Sequence, residues 1–172
     1  MEFLVKDWKA SVVQEITSGD NLDKLAEYAL HLSRILAYPG LDVGTCVAKI
    51  ATMGQVIVEN IKKSSGMHRR PTQIIEKIND YFYNVQKFKP NTNDYYNPLN
   101  SYLNVVLERK TGIPITLCIL YLSIARTVGL KMQPVSFPGH FLVKHVLEDN
   151  SGEIIVDPFN SGRIMDLSLI HI

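Results

Sequence analysis

The sequence predicts an α+β fold, with a helical N-terminal half followed by a central helix packed on an antiparallel sheet. Three observations predict it. Apolar residues recur at three- and four-residue spacing through residues 22–82. A further apolar helix then runs from Pro114 to a terminating Gly129. Beyond Gly129 the period falls to two, and two short runs flank a turn sequence. With 172 residues, 46% hydrophobic and 20% charged, the chain suits one globular unit. Those values exclude a wholly disordered chain, a collagen and a coiled-coil rod.

Taken in order, Leu22, Leu25, Ala26, Ala29, Leu32 and Leu36 line one helix that stops at Pro39-Gly40. Asp42 caps the next, with Leu41 and Cys46 at hydrophobic-staple spacing, so Cys46 is expected to pack on Leu41. Val47, Ile50, Ala51, Val58 and Ile61 continue its apolar face. Pro71 opens a third helix carrying Ile74, Ile75, Ile78 and Phe82. Residues 84–100 read as a long ordered loop, because Tyr95 and Tyr96 need packing partners. Asn97, Asn100 and Tyr102 are expected to tie that loop to the helices, and Ser101 to cap a short helix through Leu107. On the central helix Leu117, Tyr121, Ile124, Ala125 and Val128 share a face. His140–Val146 and Glu153–Val156 then read as strands around the turn Asp149-Asn150-Ser151-Gly152. The helical region is accordingly drawn as residues 1–84 and the core as 85–166.

Charge and cysteine usage narrow the function. Eighteen Lys and Arg oppose 17 Asp and Glu, for a formal charge of +1, which gives no footprint for nucleic acid. Lys62-Lys63 and His68-Arg69-Arg70 flank a Ser-Ser-Gly loop and read as solvated. Cys46 and Cys118 are too few for a disulfide scaffold or a structural zinc site and suit a reducing compartment. The N-terminal Met1–Lys9 lacks a signal-peptide apolar region, and Ile113–Ala125 falls short of the ~18–20 residues of a membrane span. A cytoplasmic protein without a membrane partner is expected. Walker loop, dinucleotide fingerprint, HExxH helix and paired carboxylates are all missing, so no cofactor is expected.

Three residues hold candidate chemistry: Cys118 on the central helix, His140 at a strand start, and Asp157 after the partner strand. A thiol nucleophile needs a base to deprotonate it and a third group to orient that base. Each residue also has a plainer reading. Cys118 shares the stripe of Pro114, Tyr121 and Ala125 and reads as a small buried hydrophobe. Asp157 before Pro158 suits a turn start. His140, following Pro138-Gly139, is unusual for a core histidine and reads as a site residue. His145 falls on the opposite strand face and is expected to be exposed.

The run Tyr95-Tyr96-Asn97-Pro98-Leu99-Asn100-Ser101-Tyr102-Leu103-Asn104, continuing through Arg109-Lys110-Thr111-Gly112-Ile113-Pro114-Ile115-Thr116-Leu117, resembles the signature of the SirB-type transglutaminase-like family. Phe137-Pro138-Gly139-His140-Phe141-Leu142-Val143 and Asp157-Pro158-Phe159-Asn160-Ser161-Gly162-Arg163 resemble its next two blocks. The resemblance covers roughly residues 22–165. It implies a papain-like transglutaminase core preceded by helices, with His140 and Asp157 at the family's His and Asp positions. In transglutaminase cores the nucleophilic Cys opens the helix about fifteen residues before its terminating glycine. Counting back from Gly129 lands on Pro114, and Cys118 comes one helical turn too late. Family members often continue into tetratricopeptide-like helices, which this chain would have lost, and related domains occur in F-box proteins.

Two readings follow. One is a regulatory or protein-binding module with a degenerate site and an unidentified protein partner. The other is a Cys118–His140–Asp157 acyl-transfer enzyme, amidase or protease. Leu167–Ile172 is what CTG-TCT-CTT-ATA-CAC-ATC encodes, a transposase-adapter end used in sequencing libraries. Native sequence is therefore expected to end near Asp166, a hypothesis that genomic sequence running through those codons would overturn. His171 carries no functional weight.

Overall fold

The computed structural model describes residues 21–63, 70–137, 140–149 and 151–165. The Met1–Lys9 terminus, the loop 64–69, Pro138-Gly139 and the 167–172 tail lie outside the described residues. The fold is α+β. A 3-10 turn, Asn21–Lys24, leads into α1 (Leu25–Leu36), followed by α2 (Val43–Lys63) and α3 (Pro71–Asn79). A π-helical turn, Asp80–Val85, extends α3. Then come β1 (Lys89–Pro90), α4 (Leu103–Arg109), β2 (Thr111–Gly112) and the central α5 (Pro114–Val128). The sheet is an antiparallel meander of β3 (Gln133–Phe137), β4 (His140–Val146), β5 (Glu153–Asp157) and β6 (Arg163–Met165). Among the described residues no helix is long and apolar enough to cross a membrane.

Local chemistry explains the main boundaries. Asp42 caps α2, its Oδ1 accepting the Thr45 N–H at 3.1 Å and its Oδ2 the Thr45 hydroxyl at 2.7 Å. Those bonds hold the Asp42 carboxyl below its ordinary value, the Thr45 hydroxyl contributing most. Proline stands at the first position of both α3 and α5, where its missing N–H costs nothing. The α5 helix is apolar almost all round, and Leu117, Leu120, Tyr121, Ile124 and Ala125 are fully buried. It packs on α2 along one side and on β4 along another. One apolar core therefore runs from Leu30 and Ile57 through Phe82 to Val143 and Val156.

Five details differ from the sequence reading, each for a tertiary reason. Ser101 does not cap α4; it is exposed at the end of the 3-10 turn Pro98–Ser101, and the Leu103 N–H goes instead to the buried Ser33 hydroxyl of α1 at 3.3 Å. The buried residues of α1 are Ala26, Tyr28, Leu30 and Ser33, and the small Ala26 and Ser33 let α1 lie close to α4. That rotation leaves Leu25 and Ala29 half-buried and Leu32 47% exposed, although the pattern made all of them core residues. Val47 is likewise half-buried. Asn97 and Asn100 close the long loop on itself, Asn100 Nδ2 donating to the Asp94 and Tyr95 carbonyls, while Tyr102 packs edge-on against Tyr38, two residues beyond the end of α1. His145 is buried, its Nδ1 donating to the Lys131 carbonyl at 2.7 Å. Finally, β6 is too short for any period to reveal.

The α2–α5 crossing depends on Gly54. A Cβ there would collide with Cβ and Cγ2 of Thr127 on α5, atoms fixed to a helix backbone. Gly54→Ala is expected to destabilise the fold by about 1–3 kcal/mol, despite the better helix propensity of Ala. Urea unfolding checks this, and an unchanged or raised midpoint would contradict the close crossing.

Candidate active site

The antiparallel register brings His140 and Asp157 together. Val143 pairs with Val156, so Asp157 falls opposite Leu142, on the same sheet face as His140 and one pleat away. That diagonal separation suits an imidazole and a carboxylate, and His140 Nε2 lies 2.8 Å from Asp157 Oδ2. The carboxylate is 4% exposed and the imidazole 32% exposed. Using Nε2 on Asp157 leaves Nδ1 as the nitrogen for a reacting partner.

Asp157 is held by more than the histidine. Its Oδ1 accepts the N–H groups of Phe159 and Asn160 at 3.0 and 3.2 Å, and its Oδ2 accepts Asn160 Nδ2 at 2.6 Å. This is an Asx turn that caps the 3-10 segment Pro158–Asn160. The π-helical turn braces the segment from behind. Tyr83 donates its hydroxyl to the Pro158 carbonyl at 2.9 Å, and burial raises its phenol. Asn79 donates to the Gly162 carbonyl at 2.8 Å and accepts the Tyr121 hydroxyl at 2.8 Å. Gly162, at φ 70°, has no room for a Cβ against the Asn79 amide. Asn160 stood only within the resembling block Asp157–Arg163. Tyr83 and Asn79 carried no local signal, since both act across more than 70 residues.

Cys118 stands apart in character. Its side chain is 1% exposed, and its Sγ–H donates to the Phe141 carbonyl of β4 at 3.1 Å. Burial, followed by the negative charge of Asp157, pushes the thiol up to about 12. A reactive cysteine needs the opposite environment, one that favours the thiolate. Cys46 is half-buried on α2, and both cysteines are free.

What shares a pocket with His140 is the start of α5. A shallow hollow of about 340 Å³ is lined by Tyr95, Pro114, Ile115, Ser136, His140 and Phe141. The first turn of α5 thus presents a proline ring and a 42% exposed isoleucine where helix-start N–H groups and dipole are strongest. Among the described residues no cluster of three His, Cys, Asp or Glu side chains is placed to hold a metal ion.

A helix start against a strand-borne His, itself oriented by an Asp, is a papain-like arrangement. The profile of the transglutaminase-like superfamily matches residues 47–171. The chain belongs to that superfamily. A UPF0162 protein of Xylella fastidiosa is 44% identical over 89 residues, covering 52% of this chain and 31% of that protein. Mouse F-box only protein 21 is 49% identical over 98 residues, covering 54% of this chain and 16% of its own length. A UPF0162 protein of Haemophilus influenzae is 28% identical over 124 residues, 72% of this chain and 45% of that protein. The chain thus spans less than a third of the length of the first two relatives. No solved structure matches it.

Two measurements test this geometry of the transglutaminase-like domain. Asp157→Ala strips the acceptor from two backbone N–H groups, an amide and an imidazole, and is expected to cost about 1–3 kcal/mol by urea unfolding. A loss within error would deny the carboxylate its organising role. The second concerns alkali. The folded Cys118 thiol titrates at about 12 against an ordinary 9.0, so the unfolded chain ionises first. Below pH 9.0 both states keep the proton and the thiol's contribution is complete. Between those values it is lost by up to about 1.4 kcal/mol per pH unit. Unfolding from about pH 8 to about pH 11 is expected to show a steeper loss for the wild type than for Cys118→Ala. Parallel curves would contradict the buried thiol.

Proposed function

We propose that this chain is a SirB-type transglutaminase-like module with a degenerate thiol site, serving in the cytoplasm as a regulatory or protein-binding unit. One observation carries the reading: the pocket that holds His140 also holds Pro114 and Ile115, and no thiol lines it. Acyl transfer in this geometry needs a thiolate at the helix start, within reach of the imidazole. Pro114 has no nucleophile to offer. Cys118 lies four residues along α5, about 6 Å further down the axis. Its sulfur is occupied by the Phe141 carbonyl, and its proton is held by burial.

The same pocket supports a binding role. Its walls are Tyr95, Ile115 and Phe141, and Tyr96, whose ring sits 5.2 Å from that of Tyr95, is 92% exposed. Exposed aromatic surface beside an apolar hollow suits an apolar side chain of a protein partner. The helices expected beyond the core, tetratricopeptide-like in the SirB type, would belong to a longer protein. A second reading, an active Cys118–His140–Asp157 acyl transferase or amidase, is favoured by the oriented His140–Asp157 pair with Nδ1 left over.

Iodoacetamide labelling in a Cys46→Ser background separates the two. At about pH 8 a thiol titrating near 12 is only about 10⁻⁴ ionised, so Cys118 is expected to label about 10³-fold slower folded than unfolded. Its rate is also expected to be indifferent to His140→Ala. Pro114→Cys, which puts a thiol at the helix start in the histidine's pocket, is expected to label fast and to slow when His140 is removed. Rapid, His140-dependent labelling of Cys118 itself would overturn the degenerate reading in favour of the enzyme.

A further inference from the structure

The α5 helix is wrapped on most sides, but one line along it stays partly open. Ile115, Ile119, Leu122 and Arg126 follow one another at spacings of four, three and four, which puts them on one face. Ile115 and Arg126 are exposed and Ile119 is half-buried. After the left-handed stop at Gly129, β3 runs back beside this line. Ile115 shares the His140 hollow with Ser136 at the end of β3. Leu122 and Arg126 share a second hollow with Gln133 at its start. Among the described residues β3 is an edge strand, paired with β4 alone.

The two hollows differ in character. The second, of about 480 Å³, has Leu122, Leu130 and Met132 buried beneath it and Arg126, Lys131 and Gln133 exposed around it. Among the described residues its lining carries two cations and no carboxylate. The hollow at the other end is walled by Tyr95, Ile115 and Phe141. Between them lies the strand edge. Ser136 pairs with Phe141 and Pro134 with the buried Val143, so both fall on the sheet face that packs on α5. Proline suits an edge strand where its missing N–H would face off the sheet. The same alternation sends the N–H and C=O of Ser136 outward, a bonding pair for an added strand. Pro134 also shortens the usable edge, which disfavours edge-to-edge pairing of two copies.

We infer that the β3 edge receives an extended segment of a protein partner, antiparallel to β3, with an apolar side chain in the His140 hollow and an acidic one against Arg126 and Lys131. The inference rests on the binding reading of the His140 hollow and names the chemistry of its partner. Charge complementarity sets the acid: two cations at one end of the edge call for a carboxylate. Antiparallel pairing continues the meander that β3–β6 already form. That direction fixes the order of the side chains. The segment passes Ser136 first and Met132 last, so the apolar residue precedes the acidic one. Alternate side chains face α5, and Ser136 to Met132 spans four residues, about 13 Å. The acid therefore comes four positions after the apolar anchor. Main-chain bonds supply affinity, and the two hollows supply selectivity.

Panning a displayed library of random twelve-residue peptides on the full chain tests this. The enriched peptides are expected to share Leu, Ile or Phe followed four positions later by Asp or Glu. By fluorescence anisotropy, Lys131→Glu, at an exposed position, is expected to weaken the best of them about tenfold. Changing the acid of the peptide to Lys is expected to restore most of that loss. Methylating the peptide nitrogen opposite Ser136 is expected to weaken binding about three- to tenfold, and methylating the next nitrogen to leave it unchanged. Enrichment without the pattern, or no enrichment, would overturn the inference. So would an affinity indifferent to Lys131→Glu and to both methyl groups. If such an indifferent peptide still shifts the His140 imidazole resonances in NMR, the hollow remains a binding site and only the strand edge is removed. A peptide that obeys the pattern but leaves those resonances unmoved would overturn the placement of its apolar anchor.

Discussion

The central constraint in this fold is the α5 helix, which is apolar on nearly every side and therefore has to be wrapped. Helices α1 and α2 cover one flank, α3 with its π-helical extension another, and the sheet and the Pro158–Asn160 turn the rest. Each neighbour is shaped by that demand. Gly54 lets α2 approach Thr127, and Phe82 fills the space beside Tyr121 with the rings 5.7 Å apart. The chemistry of Cys118 follows from the same wrapping. A thiol on a helix buried all round cannot keep the water or the positive charge that a thiolate needs, so its proton stays bound.

The His140–Asp157 pair has a different reason to exist. Asp157 is nearly fully buried, and a buried carboxylate is tolerable only when its oxygens are satisfied. Two backbone N–H groups and the Asn160 amide provide most of that satisfaction, and His140 completes it. The carboxylate thereby organises the Pro158–Ser161 turn, which Tyr83 and Asn79 clamp to α3 and its extension. An oriented imidazole beside such a carboxylate is thus also a consequence of how this corner is built. Geometry that looks catalytic here has a structural justification that does not require turnover.

How much of this was legible in the sequence can be judged residue by residue. Helix starts at Asp42, Pro71 and Pro114, the stop at Gly129 and the two central strands were readable, because each rests on a local cap, turn or period. The faces of α1 were not. The leucine row Leu25, Leu32 and Leu36 is the more apolar by sequence, yet the close approach to α4 selects the positions of Ala26 and Ser33 for burial. Ser101 lost its cap role to Ser33, 70 residues before the Leu103 whose N–H it accepts, and His145 found the Lys131 carbonyl across a strand. These are long-range choices that leave no periodic trace. At the site, the family resemblance singled out His140 and Asp157 as candidates, while Asn160 stood only within the resembling block Asp157–Arg163. The clamp by Tyr83 and Asn79 was invisible because it depends on the π-helical turn.

Pro114 links the site to the stability of the fold. At the first position of a helix, proline's fixed φ is already correct and its missing N–H is one that would lack a partner anyway. The neighbouring Ile113 N–H is taken by the Thr116 hydroxyl at 3.1 Å, which ties the N-cap residue to the first turn. A catalytic cysteine at that position would instead leave helix-start N–H groups open to an oxyanion and keep a thiolate partly solvated. Those demands conflict with a tight, capped start to the helix on which the whole core is packed. With proline there, the α5 start carries a fixed φ, and the hollow beside it is lined by Tyr95, Ile115 and Phe141.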